Sequence, residues 1–164
     1  MKILTEAQIE QKIRRLCIEI LERNYEADAL ILAGINQNGL EFARLLSEEI
    51  SRRMDKRITL TRIRLSPAAP VDNPIFIEMP IEALHKQRII VVDDVANTGR
   101  TLFYALQPLL QALPEKVEVA VLVDRKHKAF PIQSDYVGLS LATTLREHID
   151  VQLLNVAEKA VFLR

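Results

Sequence analysis

The sequence predicts an α/β single domain with a mostly parallel central sheet flanked by helices. Three observations predict it. The apolar runs ALILAG, IIVV and VEVAVLV read as strands buried on both faces, which is the habit of parallel sheets. Segments with apolar residues at helical spacing stand between the first of them, and strands alternating with helices form crossover units. The 164 residues fit one core, so residues 1–164 are read as a single domain.

Each element has its own signal. Thr5 followed by Gln8 makes a capping box, in which each side chain satisfies a free backbone N–H of the other. Ile9, Ile13, Leu16, Cys17, Ile20 and Leu21 continue as a helical stripe, and Asn24 is placed to close it. ALILAG, ending at Gly34, is the first buried strand. A second helix is expected over Asn38–Met54, with Phe42, Ala43, Leu46 and Ile50 on its apolar face. ITLTRIRL alternates apolar with polar or basic residues, the pattern of a half-exposed strand.

Pro67, Pro70, Pro74 and Pro80 then cannot donate ladder hydrogen bonds, which predicts a loop from Ser66 to about Ile77. IIVV follows, and Thr101–Leu113 carries a helical stripe that Pro108 should kink or split. VEVAVLV ends at Asp124. DYVGL, VQLL and AVFL are short extended candidates.

Composition narrows the function classes. Lys and Arg balance Asp and Glu at 22 each, so no global field draws the chain to polyanions. Aromatic residues make up 5% and Trp is absent, which argues against a stacking platform for single strands. A lone Cys17 on a helical stripe gives neither a disulfide nor a cysteine-based zinc cluster, and reads as a small core residue. His85 and His148 have no partner at ligand spacing, so no direct protein ligation of a metal is expected. No apolar run approaches the ~20 residues of a membrane span. The N-terminus lacks the apolar core of a signal peptide, so a cytoplasmic location is expected.

The chemistry concentrates in IIVVDDVANTGRT, Ile89–Thr101. Asp93 and Asp94 leave a buried strand, where two carboxylates repel unless a cation or a pair of hydroxyls lies between them. Then TGRT opens a helix. Gly99 permits close backbone approach, and the following N–H groups with Thr98 and Thr101 form an anion cradle. A diol site beside a phosphate cradle describes a ribose 5-phosphate. The competing reading is an ordinary strand–turn–helix with Thr98 as a cap. GINQNG, Gly34–Gly39, fits half of a nucleotide-binding Walker loop, but Leu40 and Glu41 follow where Lys and Ser or Thr are required.

IIVVDDVANTGRT resembles the signature for 5-phosphoribosyl-1-diphosphate (PRPP) in type I phosphoribosyltransferases. ILTEAQIEQ, ILERN, GINQNG and AVLVDRKHKAFPIQSDYVG resemble the PyrR group, pyrimidine operon attenuators with uracil phosphoribosyltransferase activity.

The resemblance implies the type I phosphoribosyltransferase fold with a lid loop near 66–77 and a small C-terminal hood near 124–164. It implies ribose hydroxyls on Asp93 and Asp94, and the 5-phosphate on Ala96, Asn97, Thr98, Gly99, Arg100 and Thr101. Ile35, Asn36, Gln37, Asn38 and Gly39 would form the pyrophosphate loop. Asp124, Arg125, Tyr136 and Val137 would form the hood over the base, with Tyr136 beneath or beside the ring. Mg²⁺ would arrive with PRPP, the acceptor would be a pyrimidine-like base such as uracil, and the protein would be a homodimer.

Three departures qualify this. Asn36 and Asn38 stand where the group carries a Lys and an Arg, which removes two cations from the pyrophosphate loop and leaves a weakly catalytic, nucleotide-sensing regulator as the alternative. Asn97 stands where purine enzymes place an Asp, and Asn is no general base. TLTRIRLSPAAP replaces the group's acidic and aromatic lid, and Arg62 or Arg64 could restore positive charge. A local surface of Arg14, Arg15, Arg52, Arg53, Lys56, Arg57 and the basic run Arg125, Lys126, His127 and Lys128 could meet RNA, but with a net charge of +0 RNA is not the favoured partner.

Overall fold

The computed structural model describes residues 1–144 and 146–164. Leu145, within the expected hood, lies outside them. The main sheet has six strands: β2 (Ala29–Ile35), β3 (Arg57–Arg64), β4 (Phe76–Ile77), β5 (Arg88–Ala96), β6 (Lys116–Arg125) and β7 (Tyr136–Leu141). Their spatial order is β4-β3-β2-β5-β6-β7, all parallel except β4, which runs antiparallel to β3. The order steps outward from β2 in one direction and from β5 in the other. Ligand crevices in open parallel sheets form at such a switch, beyond the carboxyl ends of the strands.

A second, antiparallel sheet joins β1 (Lys2–Leu4), β9 (Ala160–Leu163) and β8 (Ile149–Gln152). It differs from the expected hood in two ways. The chain's first residues belong to it, and Asp124–Leu141 do not, because they continue the main sheet as the end of β6 and as β7.

Helix α1 (Glu6–Arg23) begins at the expected capping box: Gln8 N–H donates to Thr5 Oγ1 at 3.3 Å and Thr5 N–H to Gln8 Oε1 at 2.8 Å. Asn24 closes it through Ile20 O. Its buried residues are the predicted stripe, and they pack with α2 (Asn36–Arg53) over one face of the sheet, around Leu30, Leu32, Ile90 and Val92. Fully burying each such aliphatic side chain contributes about 1.5–3 kcal/mol. Across the sheet, Ile31, Ala33, Val91 and Val121 pack against α3 (Arg100–Ala105). Pro108 has no N–H to offer Tyr104 O, and the helix gives way to a 3₁₀ turn over Gln107–Gln111.

The Pro-rich stretch is loop and turns from Ser66 to Ile75, but β4 pins its far end to β3 and buries Ile77.

Candidate active site

The parallel strands bring Ile35, Arg64, Asp93–Ala96 and Asp124 to the same edge of the sheet. Asp93 and Asp94 lie inside β5 rather than beyond it, near its carboxyl end, and both line the same cavity. Each carboxylate folds onto the next backbone amide: Asp94 N–H donates to Asp93 Oδ1 at 2.9 Å, and Val95 N–H to Asp94 Oδ1 at 2.8 Å. Burial first, and the Asp94 charge second, push the Asp93 carboxyl well above its ordinary value of 3.8. A cation or hydroxyl groups placed between the two carboxylates would relieve that repulsion.

The expected pyrophosphate loop is the direct junction of β2 with α2. Asn36 has φ 51°, a left-handed conformation that Asn tolerates better than most residues. Its amide both donates to and accepts from one backbone unit. Asn36 Nδ2 donates to Leu65 O at 3.0 Å, and Leu65 N–H donates to Asn36 Oδ1 at 3.1 Å. Asn38 Nδ2 donates to Asp94 Oδ2 at 3.0 Å. A Cβ on Gly39 would lie 2.6 Å from Val92 O, so only glycine lets α2 sit this close to β5. Ile35 is 1% exposed, which leaves Asn36, Gln37 and Asn38 as the junction's offering to the cleft.

The Asn97–Thr101 turn is built from both sides. Gly99 takes φ 87° at the start of α3. Ala129 and Phe130 N–H both donate to Thr98 O, at 2.9 and 3.2 Å. Lys128 Nζ donates to Asn97 O at 3.0 Å and pairs with Asp124 at 2.6 Å. Arg125 donates to Asn97 Oδ1 at 3.2 Å, Thr143 Oγ1 at 2.7 Å and Thr144 O at 2.8 Å. Asp124 and Arg125, expected over the base, are thus occupied in bracing this turn. Arg100 Nη2 reaches Pro67 O at 2.9 Å and ties the turn to the lid.

Two cavities open here. One, of about 410 Å³, is lined by Ala96–Thr101 with Pro67 and Ala68. The other, of about 490 Å³, holds Asp93, Asp94 and the Asn36–Asn38 junction. They share Pro67, Val95, Asn97 and Thr101, so the acidic pair and the turn face adjoining lobes of one cleft.

None of the four residues expected over the base lines either lobe. Tyr136 is 0% exposed and pairs with Ala120 midway along β6, level with Val92, with its side chain turned into the core. Its hydroxyl donates to Glu118 Oε1 at 2.8 Å within the core, which explains how a large polar aromatic is buried there. Val137 packs against the lower core, and its carbonyl accepts from Arg15 at 2.9 Å. His148, Ile149, Asp150 and Val151, on and beside β8, line the second lobe instead. Of these, only Val151 falls in an expected extended run, VQLL.

The basic residues weighed for RNA are largely engaged: Arg15 with Glu19, Arg52 and Arg53 with Glu49, Lys56 with Tyr25 O and Ala27 O. Among the described residues no three His, Cys, Asp or Glu side chains are grouped to hold a metal ion. No helix among them is long and apolar enough to cross a membrane.

Comparison with known proteins meets this geometry. Residues 2–155 match the family model of the phosphoribosyl transferase domain. The bifunctional protein PyrR of Acetivibrio thermocellus is 36% identical over 94% of this chain and 88% of its own. That of Bacillus mycoides is 35% identical over 92% and 89%. In fold, the chain superposes on a hypoxanthine-guanine phosphoribosyltransferase of Bacillus anthracis with a TM-score of 0.77 at 19% identity, covering 99% of this chain and 96% of that one. The hypoxanthine phosphoribosyltransferase of Trypanosoma cruzi gives 0.80 at 15%, covering 98% and 95%. With the acidic pair and the TGRT turn converging on one cleft of this fold, the chain belongs to the type I phosphoribosyltransferases and is similar over most of its length to the PyrR proteins.

Proposed function

We propose that the protein transfers the 5-phosphoribosyl group of PRPP to a pyrimidine-like base, with uracil as the leading candidate. The observation that carries this is the shared cleft, in which Asp93 and Asp94 line one lobe and Ala96–Thr101 the other. The turn would take the 5-phosphate on backbone N–H groups and the hydroxyls of Thr98 and Thr101. The acidic pair would take the ribose hydroxyls and the Mg²⁺ that enters with the diphosphate, since carboxylate oxygens suit a hard cation. The base would lie in the lobe bounded by His148–Val151.

In the reaction the C1–O bond to pyrophosphate breaks and its electron pair leaves on the pyrophosphate oxygen. The ring nitrogen of the base forms the new C1–N bond, and its proton passes to water. The protein needs no nucleophile; it positions the partners and stabilises charge. Asn97 cannot take a ring proton, which favours an acidic pyrimidine over a purine.

One observation supports a second reading, a nucleotide-sensing regulator with little turnover. The Asn36 amide is committed to Leu65, where a catalytic junction would profit from a free cation. Pyrophosphate release from Mg–PRPP, assayed with uracil, cytosine, orotate, hypoxanthine and guanine, separates the two. Release with a pyrimidine supports the transferase. Tight binding of PRPP and uridine monophosphate with no release from any base supports the regulator.

A further inference from the structure

Beside the cleft, β3 presents Arg62 and Arg64 on the same face, two residues apart, where like charges repel. Glu78, just past β4, holds them together. Arg62 Nε and Nη2 both donate to its carboxylate at 2.9 Å, and Arg64 Nε does so at 2.5 Å. Register favours this clamp, because Glu78 N–H also donates to Arg62 O at 2.8 Å. Hydrogen bonding from Arg62 first, and then from Arg64, draws the Glu78 carboxyl down to about 2, so the clamp stays ionised across the neutral range. Two guanidiniums and one carboxylate leave one positive charge. Arg62 Nη1 and both terminal nitrogens of Arg64 have no partner among the described residues.

These free donors border an open cavity of about 560 Å³ lined also by Asn36, Gln37 and Pro67. The same three residues line the lobe that holds Asp93 and Asp94, so the arginine rim continues that lobe outward. Guanidinium forks match phosphate oxygens in pairs, and Glu78 already fixes both planes, so little ordering remains when an anion arrives.

We propose that Arg62 and Arg64, clamped by Glu78, form a binding rim for the diphosphate half of PRPP and for inorganic pyrophosphate. The inference rests on the PRPP reading of the cleft. It moves the positive charge from the β2–α2 junction, whose Asn36 is occupied by Leu65, to the neighbouring strand.

The test is calorimetric titration of Mg–PRPP, Mg–pyrophosphate and uridine monophosphate, the last of which lacks a diphosphate. The proteins are the wild type, Arg64→Gln and Arg62→Gln/Arg64→Gln. Arg64→Gln keeps the Arg62–Glu78 fork and so guards against a folding artefact. Loss of a charge-assisted bond predicts roughly tenfold weaker PRPP and pyrophosphate binding in the single variant and about a hundredfold in the double, with the monophosphate unchanged. Unchanged PRPP and pyrophosphate binding in both variants overturns the rim while leaving the cleft reading intact, as does an equal loss for the monophosphate. A wild type that binds the monophosphate but neither diphosphate ligand overturns the PRPP reading and the rim with it.

Discussion

Arg125 Nη1 donates to Asn97 Oδ1 at 3.2 Å and thereby decides which end of the Asn97 amide faces the cleft. Arginine has no acceptor, so the amide oxygen must turn to it and the NH₂ must turn away. Thr143 and Thr144 hold the guanidinium from its other side, so this orientation is supported rather than free. Asn97 borders both lobes, and it offers them N–H donors.

A ligand atom beside Asn97 should therefore be an acceptor, such as an exocyclic oxygen of a pyrimidine. Asn97→Asp replaces the donors with an acceptor and sets up an ion pair with Arg125. We expect uridine monophosphate binding to weaken by roughly tenfold, the loss of one hydrogen bond together with a carboxylate facing the ligand's acceptor. Asn97→Ala should cost less, because it leaves no opposing charge. Calorimetry on both variants checks the order; equal losses would show that the amide orientation is immaterial.

Asp93 makes a prediction about stability. Its folded carboxyl titrates above 3.8, so the folded chain holds a proton there that the unfolded chain gives up earlier. Stability from this group is therefore complete below 3.8 and is lost as pH rises through the raised value. Asp93→Asn keeps the acceptor for Asp94 N–H and removes the repulsion. Its Tm should exceed that of the wild type near neutral pH, with the gap closing as pH falls toward 3.8. The same variant should lose PRPP affinity. A Tm gap that ignores pH would mean that Asp93 carries no strain.

Asn36 tests the junction. Asn36→Ala removes two hydrogen bonds and leaves a β-carbon residue at φ 51°, for a combined cost of about 2–4 kcal/mol. Asn36→Gly removes the same bonds without the left-handed penalty and should cost about half as much. Asn36→Lys, although it supplies a cation, should behave like the alanine variant. Urea denaturation of the three variants gives the ranking, and equal costs for Gly and Ala would remove φ from the explanation.

Which of these relationships the sequence could reveal follows from their range. The capping box at Thr5 and Gln8, the stripe from Ile9 to Leu21 and the break at Pro108 are local, and each lies where spacing put it. The acidic pair and the TGRT turn are also contiguous, so their convergence was legible. The small sheet was not. β1 pairs with β9 across nearly the whole chain, and strands this short carry no periodicity. Ile149–Val151 are set beside the cleft by the pairing of β8 with β9, which is equally invisible in the sequence. The Asn36–Leu65 pairing is hidden for a similar reason: a missing charge is visible in a sequence, whereas an amide bound to Leu65 is not.

Tyr136 sharpens that point and carries the last prediction. An aromatic at the start of a strand in the expected hood invites a stacking role. Its neighbours are Asn24 and Glu118, distant in sequence and visible only once folded. Glu118 is 7% exposed, accepts from Tyr136 and Asn24, and pairs with Lys116 at 3.1 Å and Arg23 at 3.8 Å. Tyr136→Phe removes one donor from a buried carboxylate and leaves the ring in place. Stability should fall by about 1–3 kcal/mol, because the remaining cations still compensate the charge. Base and nucleotide affinity should stay at the wild-type level, since the ring faces α1 and the core and lines neither lobe. Urea denaturation and calorimetric titration with uridine monophosphate check both halves. A stable variant with weakened nucleotide binding would return Tyr136 to the base site and refute its place in the core network.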